Sequence, residues 1–250
     1  MRTIIAANWK MNKTRSEAAS FAGDLAKRLV WETVPRDVLI FAPFTALADT
    51  YTGFNIAGNA VEIGAQDVYP ETEGAFTGEI SPAMIRDCGA TWVLTGHSER
   101  RHIIHEDNEL VAKKTAFALK NGLHVMLCIG ETLKERDDGL LESVLEKQIS
   151  SVASVADPAL LTHLAVAYEP VWAIGTGKVA SENDIAATHG IVRDLLIRHF
   201  NADGQEIPIL YGGSVKAGNA GKILTLDNVN GVLVGGASLS VESFEQIVRA

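Results

Sequence analysis

What most constrains this chain is an alternation. A short, near-continuous apolar run gives way to a longer stretch with helical spacing, and the cycle recurs along the whole sequence. The runs are 3–9 (TIIAANW), 37–42 (DVLIFA), 56–66 (IAGNAVEIGAQ), 91–95 (TWVLT), 123–129 (LHVMLCI), 162–168 (THLAVAY), 207–211 (IPILY) and 231–235 (GVLVG). Strands buried on both faces read as unbroken apolar runs, and such strands are as a rule parallel. Between them, residues 16–30 place Ala18, Phe21, Ala22, Leu25 and Leu29 at helical spacing, with Ser16 placed to cap. Residues 108–121 put Leu110, Val111, Phe117 and Ala118 on one face, and 140–152 and 181–199 behave alike. Ser181 opens the last of these, with Asp184 three residues on.

Strand–helix alternation with right-handed crossovers gives an α/β fold. Eight strands in 250 residues predict a closed (β/α)8 barrel of eight parallel strands. An open doubly wound sheet is the alternative, and the lack of GxGxxG after the first run weighs against it. No Pro/Ser-rich linker or charge block divides the chain, so the expectation is one barrel domain over 1–250.

Hydrophobic residues make up 47% of the chain, enough for a sizeable core, and the formal net charge is −9. An acidic surface repels phosphate backbones and anionic lipid, so neither nucleic acid nor a membrane is an expected partner. A locally positive site can still take a small anion. The two cysteines, Cys88 and Cys128, form no CxxC pair, which fits a reducing compartment. No signal-peptide pattern precedes the first run, and no run approaches a membrane span. The expected location is cytoplasmic.

In such a barrel, chemistry sits at the C-terminal ends of the strands. The first run is followed by Asn8-Trp9-Lys10, the third by Gln66 and a long loop, and the fourth by Gly96-His97-Ser98-Glu99-Arg100-Arg101. The seventh and eighth are followed by Gly212-Gly213-Ser214 and Gly235-Gly236-Ala237-Ser238. The sixth ends in AYEPVWAIGTGK, a lone Glu169 followed by Pro170 and by four apolar residues, Val171, Trp172, Ala173 and Ile174. Taken singly, each has a plain reading: a solvated glutamate, a surface lysine, a histidine capping a helix, glycines making turns. Taken together, the fold brings them to one rim. Paired glycine loops after strands seven and eight suit a phosphate, whose charge backbone N–H groups can meet. A glutamate, a histidine and a lysine around that pocket suit proton transfer next to a carbonyl. His102 and His105 share a helix face without a metal-binding pattern, His189 with Arg193 reads as a packing pair, and Cys128 as a small buried hydrophobe.

The sequence resembles the triosephosphate isomerase family. The matches are NWKMN at 8–12, GAFTGEIS at 74–81, GHSERR at 96–101, CIGE at 128–131, AYEPVWAIGTGK at 167–178, YGGSV at 211–215 and LVGGASL at 233–239. They span nearly the whole chain in the family's order. Thr95, where the family carries an aliphatic residue, and His105 depart from the pattern. The resemblance implies a TIM barrel homodimer that interconverts dihydroxyacetone phosphate and glyceraldehyde 3-phosphate, a step of glycolysis and gluconeogenesis, without cofactor or metal. It makes Glu169 the base, His97 the electrophile and Lys10 the electrostatic stabiliser, with Asn8 beside it. Gly175, Ser214, Gly235 and Gly236 bind the phosphate, with Glu99 and Ser98 behind the catalytic groups. Thr77, at the tip of loop 67–79, reaches into the partner's site. In this family the histidine is kept neutral by a helix N-terminus and loop closure excludes water. The resemblance extends both properties here, to His97 and to a lid of Pro170, Val171, Trp172, Ala173, Ile174, Gly175, Thr176, Gly177 and Lys178. Such a lid is expected to keep the enediolate from losing its phosphate as methylglyoxal.

Two rivals remain open at this stage. A Schiff-base aldolase barrel needs a lysine in an apolar strand setting, which the sixth run lacks. A non-catalytic phosphate-binding module has no use for Glu169 or for a closing loop.

Overall fold

A computed structural model describes residues 3–29, 36–56, 61–173 and 180–250. Eight parallel strands form a closed barrel in chain order: β1 (Thr3–Asn8), β2 (Arg36–Ala42), β3 (Glu62–Ala65), β4 (Trp92–Thr95), β5 (His124–Ile129), β6 (Leu164–Tyr168), β7 (Ile209–Tyr211) and β8 (Gly231–Val234). Closure is made by β8 against β1, with Ile4 opposite Gly231 and Ala7 opposite Val234. The predicted (β/α)8 architecture therefore holds.

Strand alternation sorts side chains into two cores. Ile4, Ala6, Leu39, Phe41, Leu94, Met126, Cys128, Ala165, Ala167, Leu210 and Leu233 fill the barrel interior. The intervening residues, such as Ile5, Ile40, Val93, Val125 and Val166, face the helices in a second and larger core. The interior is narrow, and alanines alternate there with leucines and Phe41, small beside large, so that inward side chains interdigitate. Cys128 is fully buried there and its thiol is pushed well above the ordinary value by burial, as expected of an inert small hydrophobe.

The helices are α1 (Arg15–Arg28), α2 (Leu47–Ile56), α3 (Pro82–Asp87), α4 (Ser98–His102), α5 (Asn108–Lys120), α6 (Leu133–Asp137), α7 (Leu141–Ala153), α8 (Glu182–Phe200), α9 (Ala217–Leu224) and α10 (Val241–Arg249). Several boundaries depart from the sequence reading. Thr14, not Ser16, caps α1, because Glu17 three residues on accepts the Thr14 N–H at 2.7 Å and completes a capping box. Ser181 and Asp184 form the expected box on α8. The run 56–66 yields only four strand residues, since Ile56 ends α2 and 57–60 lie outside the described residues. An apolar run can straddle two elements, and period alone does not divide it. Likewise Thr162 and His163 belong to a 3-10 turn, Pro158–His163, ahead of β6.

On α5 the buried stripe is Val111, Lys114, Thr115 and Ala118, while Leu110 and Phe117 are half-exposed. Lys114 is 2% exposed and donates to both Asp67 oxygens, at 2.7 and 2.9 Å, and to Glu106 at 2.5 Å. Arg100 joins the same two carboxylates at 2.8 and 2.6 Å. The four charges balance, which makes their burial tolerable. Thr95 is explained by a partner across the same layer: its hydroxyl meets that of Thr115 at 2.8 Å, and Thr115 donates to the Val111 carbonyl at 2.8 Å. His105 is exposed and sits at φ 64°, in the left-handed region.

Candidate active site

The polar strand ends converge as predicted. A cavity of about 280 Å³ at the C-terminal mouth is lined by Asn8, Lys10, His97, Glu169, the loop 212–216 and Gly235–Ala237. Ile174, Gly175, Thr176, Gly177 and Lys178 lie outside the described residues.

Glu169 follows β6 and is 2% exposed. Its backbone N–H donates to Ile129 at 2.7 Å, which extends the β5–β6 ladder by one residue and aims the side chain into the mouth. Two glycines make this seat possible. A Cβ on Gly130 would lie 1.8 Å from the Glu169 carbonyl oxygen, and one on Gly212 would lie 2.9 Å from Glu169 Cγ. The sequence offered Gly212 only as part of a phosphate loop and Gly130 only inside CIGE, because a close approach between strands leaves no local signal.

The carboxylate is held at both oxygens. Oε2 accepts the Ser98 N–H at 2.9 Å and Oε1 lies 3.0 Å from His97 Nε2. Burial opposes its charge, but His97, the Ser98 amide and Lys10 more than offset this, and the carboxyl rests below its ordinary value. His97 serves as N-cap of α4: its Nδ1 accepts the Glu99 N–H at 3.2 Å. A ring nitrogen that accepts carries no proton, so the imidazole proton is on Nε2, facing Glu169. Burial works against a second proton while Glu169 and Glu99 draw it, and with Glu169 docked the balance lies above the ordinary imidazole value.

Lys10 lies just beyond β1 at φ 53°. Two side chains hold this conformation: Asn8 Oδ1 accepts the Lys10 N–H at 2.9 Å, and Gln66 donates to the Lys10 carbonyl at 3.0 Å. The ammonium reaches Glu99 at 2.5 Å. Sequence reasoning picked out Asn8 and Glu99 but gave Gln66 no role. Lys216 also lines the cavity and had gone unremarked. After β8, the glycines open a 3-10 turn, Gly236–Leu239, rather than a helix; the N-terminus of α10 is capped by its own Ser240.

The base of the predicted lid is anchored. Residues Val171–Ala173 form a 3-10 turn, and Ser214 Oγ donates to the Ala173 carbonyl at 3.0 Å. Fully buried Glu131 gathers three donors on Oε1: the Tyr168 hydroxyl at 3.1 Å, the Trp172 indole at 2.8 Å and Arg136 at 3.1 Å. Arg136 also lies over the Trp172 ring at 5.0 Å. The sequence offered Glu131 only as the end of CIGE and did not suggest Arg136.

Thr77 is exposed and does not line this cavity of its own chain. Among the described residues, no group of three or more His, Cys, Asp or Glu is arranged to hold a metal, and no helix is long and apolar enough to cross a membrane.

Comparison with known proteins agrees with the site. The family model described as triosephosphate isomerase matches residues 3–250. The chain is 54% identical to the triosephosphate isomerase of Nitratidesulfovibrio vulgaris (Miyazaki F) over 253 residues and 55% identical to that of Oleidesulfovibrio alaskensis over 254, with all of each chain covered. The crystal structure of triosephosphate isomerase from Bartonella henselae superposes with a TM-score of 0.88 at 35% identity, covering 99% of this chain and 98% of that one. The chain belongs to the triosephosphate isomerase family.

Proposed function

We propose that the chain interconverts dihydroxyacetone phosphate and D-glyceraldehyde 3-phosphate by proton transfer through an enediolate. The observation that carries this is the convergence of Glu169, His97 and Lys10 on one phosphate-sized cavity bounded by two glycine loops. The substrate's phosphate lies against the loop 212–216 and Gly235–Gly236, with Ser214 and Gly175 contributing, and Lys10 reaches both that charge and the reacting oxygens. Glu169 leaves the Ser98 amide and takes a proton from the carbon next to the carbonyl. The C–H electron pair becomes the enediolate C=C bond as the carbonyl pair moves onto its oxygen; the hydroxyl proton then passes from one oxygen to the other, and protonated Glu169 returns its proton to the neighbouring carbon, completing the isomerisation without net redox change.

The departure of Glu169 also settles the protonation of His97. Once the carboxylate moves away, the main influence favouring a second proton goes with it. Burial, the largest effect on this ring, then dominates and leaves a neutral imidazole. Its Nε2–H is left pointing at the substrate oxygens, where it stabilises developing charge. Ser98 and Glu99 act behind it, as the resting partners of Glu169 and Lys10.

We further propose a homodimer. Loop 67–79 is internally ordered: Tyr69 donates to Ile80 at 2.9 Å and packs its ring on Phe76 at 4.7 Å, yet Thr77 at the tip is exposed. Beside Lys10 lies a groove of about 600 Å³ whose lining includes Met11, Gln66, Ile103 and Ile104, and Met11 is 96% exposed. A second copy's loop is the occupant that supplies an apolar and polar tip of matching kind. A chain of this length forms one barrel domain, and no cofactor takes part.

Adding dihydroxyacetone phosphate and following glyceraldehyde 3-phosphate through a coupled dehydrogenase tests the activity. A purified protein that binds the phosphate without turnover refutes it. Sedimentation that finds a fully active monomer at low micromolar concentration refutes the dimer.

A further inference from the structure

The opposite rim of the barrel carries its own polar layer. His124 opens β5, and the parallel register places it beside its neighbours on both sides: Trp92 pairs with His124, and Val125 pairs with Leu164, which sets His163 next to His124. Strand alternation points all three the same way. Met126 and Ala165, two residues further along, belong to the interior core, and Trp92 packs against that core. Glu62 completes the row by accepting the Trp92 indole N–H.

Within this layer the two imidazoles are close. Their Nδ1 atoms lie 3.4 Å apart, with ring centroids at 4.5 Å and planes at 85°. That separation is long for an N–H···N hydrogen bond, which prefers about 3 Å. It matches the distance between two ligand nitrogens on a tetrahedral ion: metal–nitrogen bonds of about 2.05 Å at a tetrahedral angle put the nitrogens about 3.35 Å apart. Both rings are half-buried and therefore reachable from solvent. His124 is fixed by the ladder, its N–H donating to the Thr91 carbonyl at 2.9 Å. His163 ends the 3-10 turn in front of β6. Glu62 is near enough to act on His124 electrostatically, adding negative charge beside a cation.

We infer that His124 and His163 form a two-imidazole site for a borderline divalent transition metal at the N-terminal mouth of the barrel, remote from the isomerase cavity. Imidazole donors suit Zn²⁺ rather than Mg²⁺ or Ca²⁺, and the tetrahedral spacing favours it over Ni²⁺ and Cu²⁺, which prefer tetragonal sites. Two protein ligands leave the remaining positions to water, so binding is reversible. The ion clips the first residue of β5 to the residue just before β6 and raises the stability of the barrel by linkage.

The test titrates the full chain with Zn²⁺ near pH 7.5, following calorimetric heat and the thermal midpoint at fixed protein concentration. One saturable equivalent per chain is expected. At a hundredfold excess over Kd the midpoint should rise by about 5 °C or more, from linkage and the scaling of midpoint with stability. His163→Gln should weaken binding at least tenfold while leaving turnover unchanged, and His124→Gln should do the same. If one of these does not fold, the other reports alone. A His102→Gln/His105→Gln variant controls for surface histidines and should bind as wild type. No saturable binding below millimolar Zn²⁺, binding abolished by the 102/105 pair instead, or wild-type affinity in His163→Gln would each overturn the assignment.

Discussion

Replacing Lys114 with Met removes one of two cations from a buried cluster of four charges. The stem stays packed, so the loss is electrostatic. Asp67 and Glu106 then share Arg100 alone, and the site carries one uncompensated negative charge. Breaking a buried pair in this way costs about 3–5 kcal/mol. The structure sets a ceiling within that range, because the cluster can take up a proton instead. Asp67 is the acceptor: burial, against the pull of Lys114 and Arg100, already holds its carboxyl above the ordinary value, whereas Glu106, bonded to the same cations, sits below its own. Protonating an aspartate at pH 7 from an unfolded value of about 3.9 costs about 4 kcal/mol. The variant should therefore lose about 3–4 kcal/mol at pH 7.

The pH dependence carries the sharper test. In the variant, Asp67 has a folded value well above its unfolded one, so the folded state binds the extra proton, and stability falls as pH rises between those two values. Moving from pH 7 to pH 5 should recover up to about 2.7 kcal/mol relative to wild type. The assay is urea unfolding by circular dichroism at both pH values and one protein concentration. A loss under about 1 kcal/mol at pH 7, or an equal loss at pH 5, would refute the reasoning, since a buried pair is expected to cost more and to be relieved by protonation.

Glu169→Gln should lower kcat by at least about a hundredfold, the smaller end of what a positioned base contributes; a loss under about tenfold would remove Glu169 from that role. The Glu169 carboxyl titrates below its ordinary value when folded, so its stabilising contribution is complete above the unfolded value and disappears as pH falls through the folded one. Acid titration of stability should therefore show wild type losing ground against Glu169→Gln. Thr115→Val strands the buried Thr95 hydroxyl and should cost about 1–3 kcal/mol, whereas Thr95→Val leaves Thr115 bonded to Val111 and should cost about 1 kcal/mol or less; unfolding midpoints in the reverse order would show the hydroxyl pair misread. His105→Gly should stabilise by about 0.5–1 kcal/mol, the left-handed penalty less the entropy glycine adds, and a lower unfolding midpoint would count against it.

Much of this was legible in the sequence because barrel folds tie function to position. Eight apolar runs gave the strands, and reading what followed each run named Asn8, Lys10, His97 and Glu169 before any geometry was known. The sequence was least informative where a residue's environment comes from distant parts of the chain. Lys114 looks like a solvent-facing helical lysine until Asp67 and Glu106, 47 and 8 residues away, meet it. Gly130 and Gly212 look like turn residues until the Glu169 backbone fills the space beside the first and the Glu169 side chain that beside the second. Run 56–66 failed for a local reason: Ile56 closes a helix and β3 opens only at Glu62, and the Gly58-Asn59 pair between them, a turn signal, was read through as part of one strand.

Lys10 bears on any effort to optimise this chain. Of the non-glycine residues described at positive φ, Lys10, Lys13, His105, Asn201 and Asn228, only Lys10 lines the cavity at the mouth. A screen that ranks variants by heat resistance alone would favour glycine at the lysine and histidine positions for the same backbone reason. At His105 that substitution should leave turnover untouched. At Lys10 it would relax the chain and discard the ammonium at the cavity, which the proposed mechanism needs. Selection for robustness and selection for turnover therefore pull in opposite directions at this residue, and a library built on the chain needs Lys10 fixed before it is diversified.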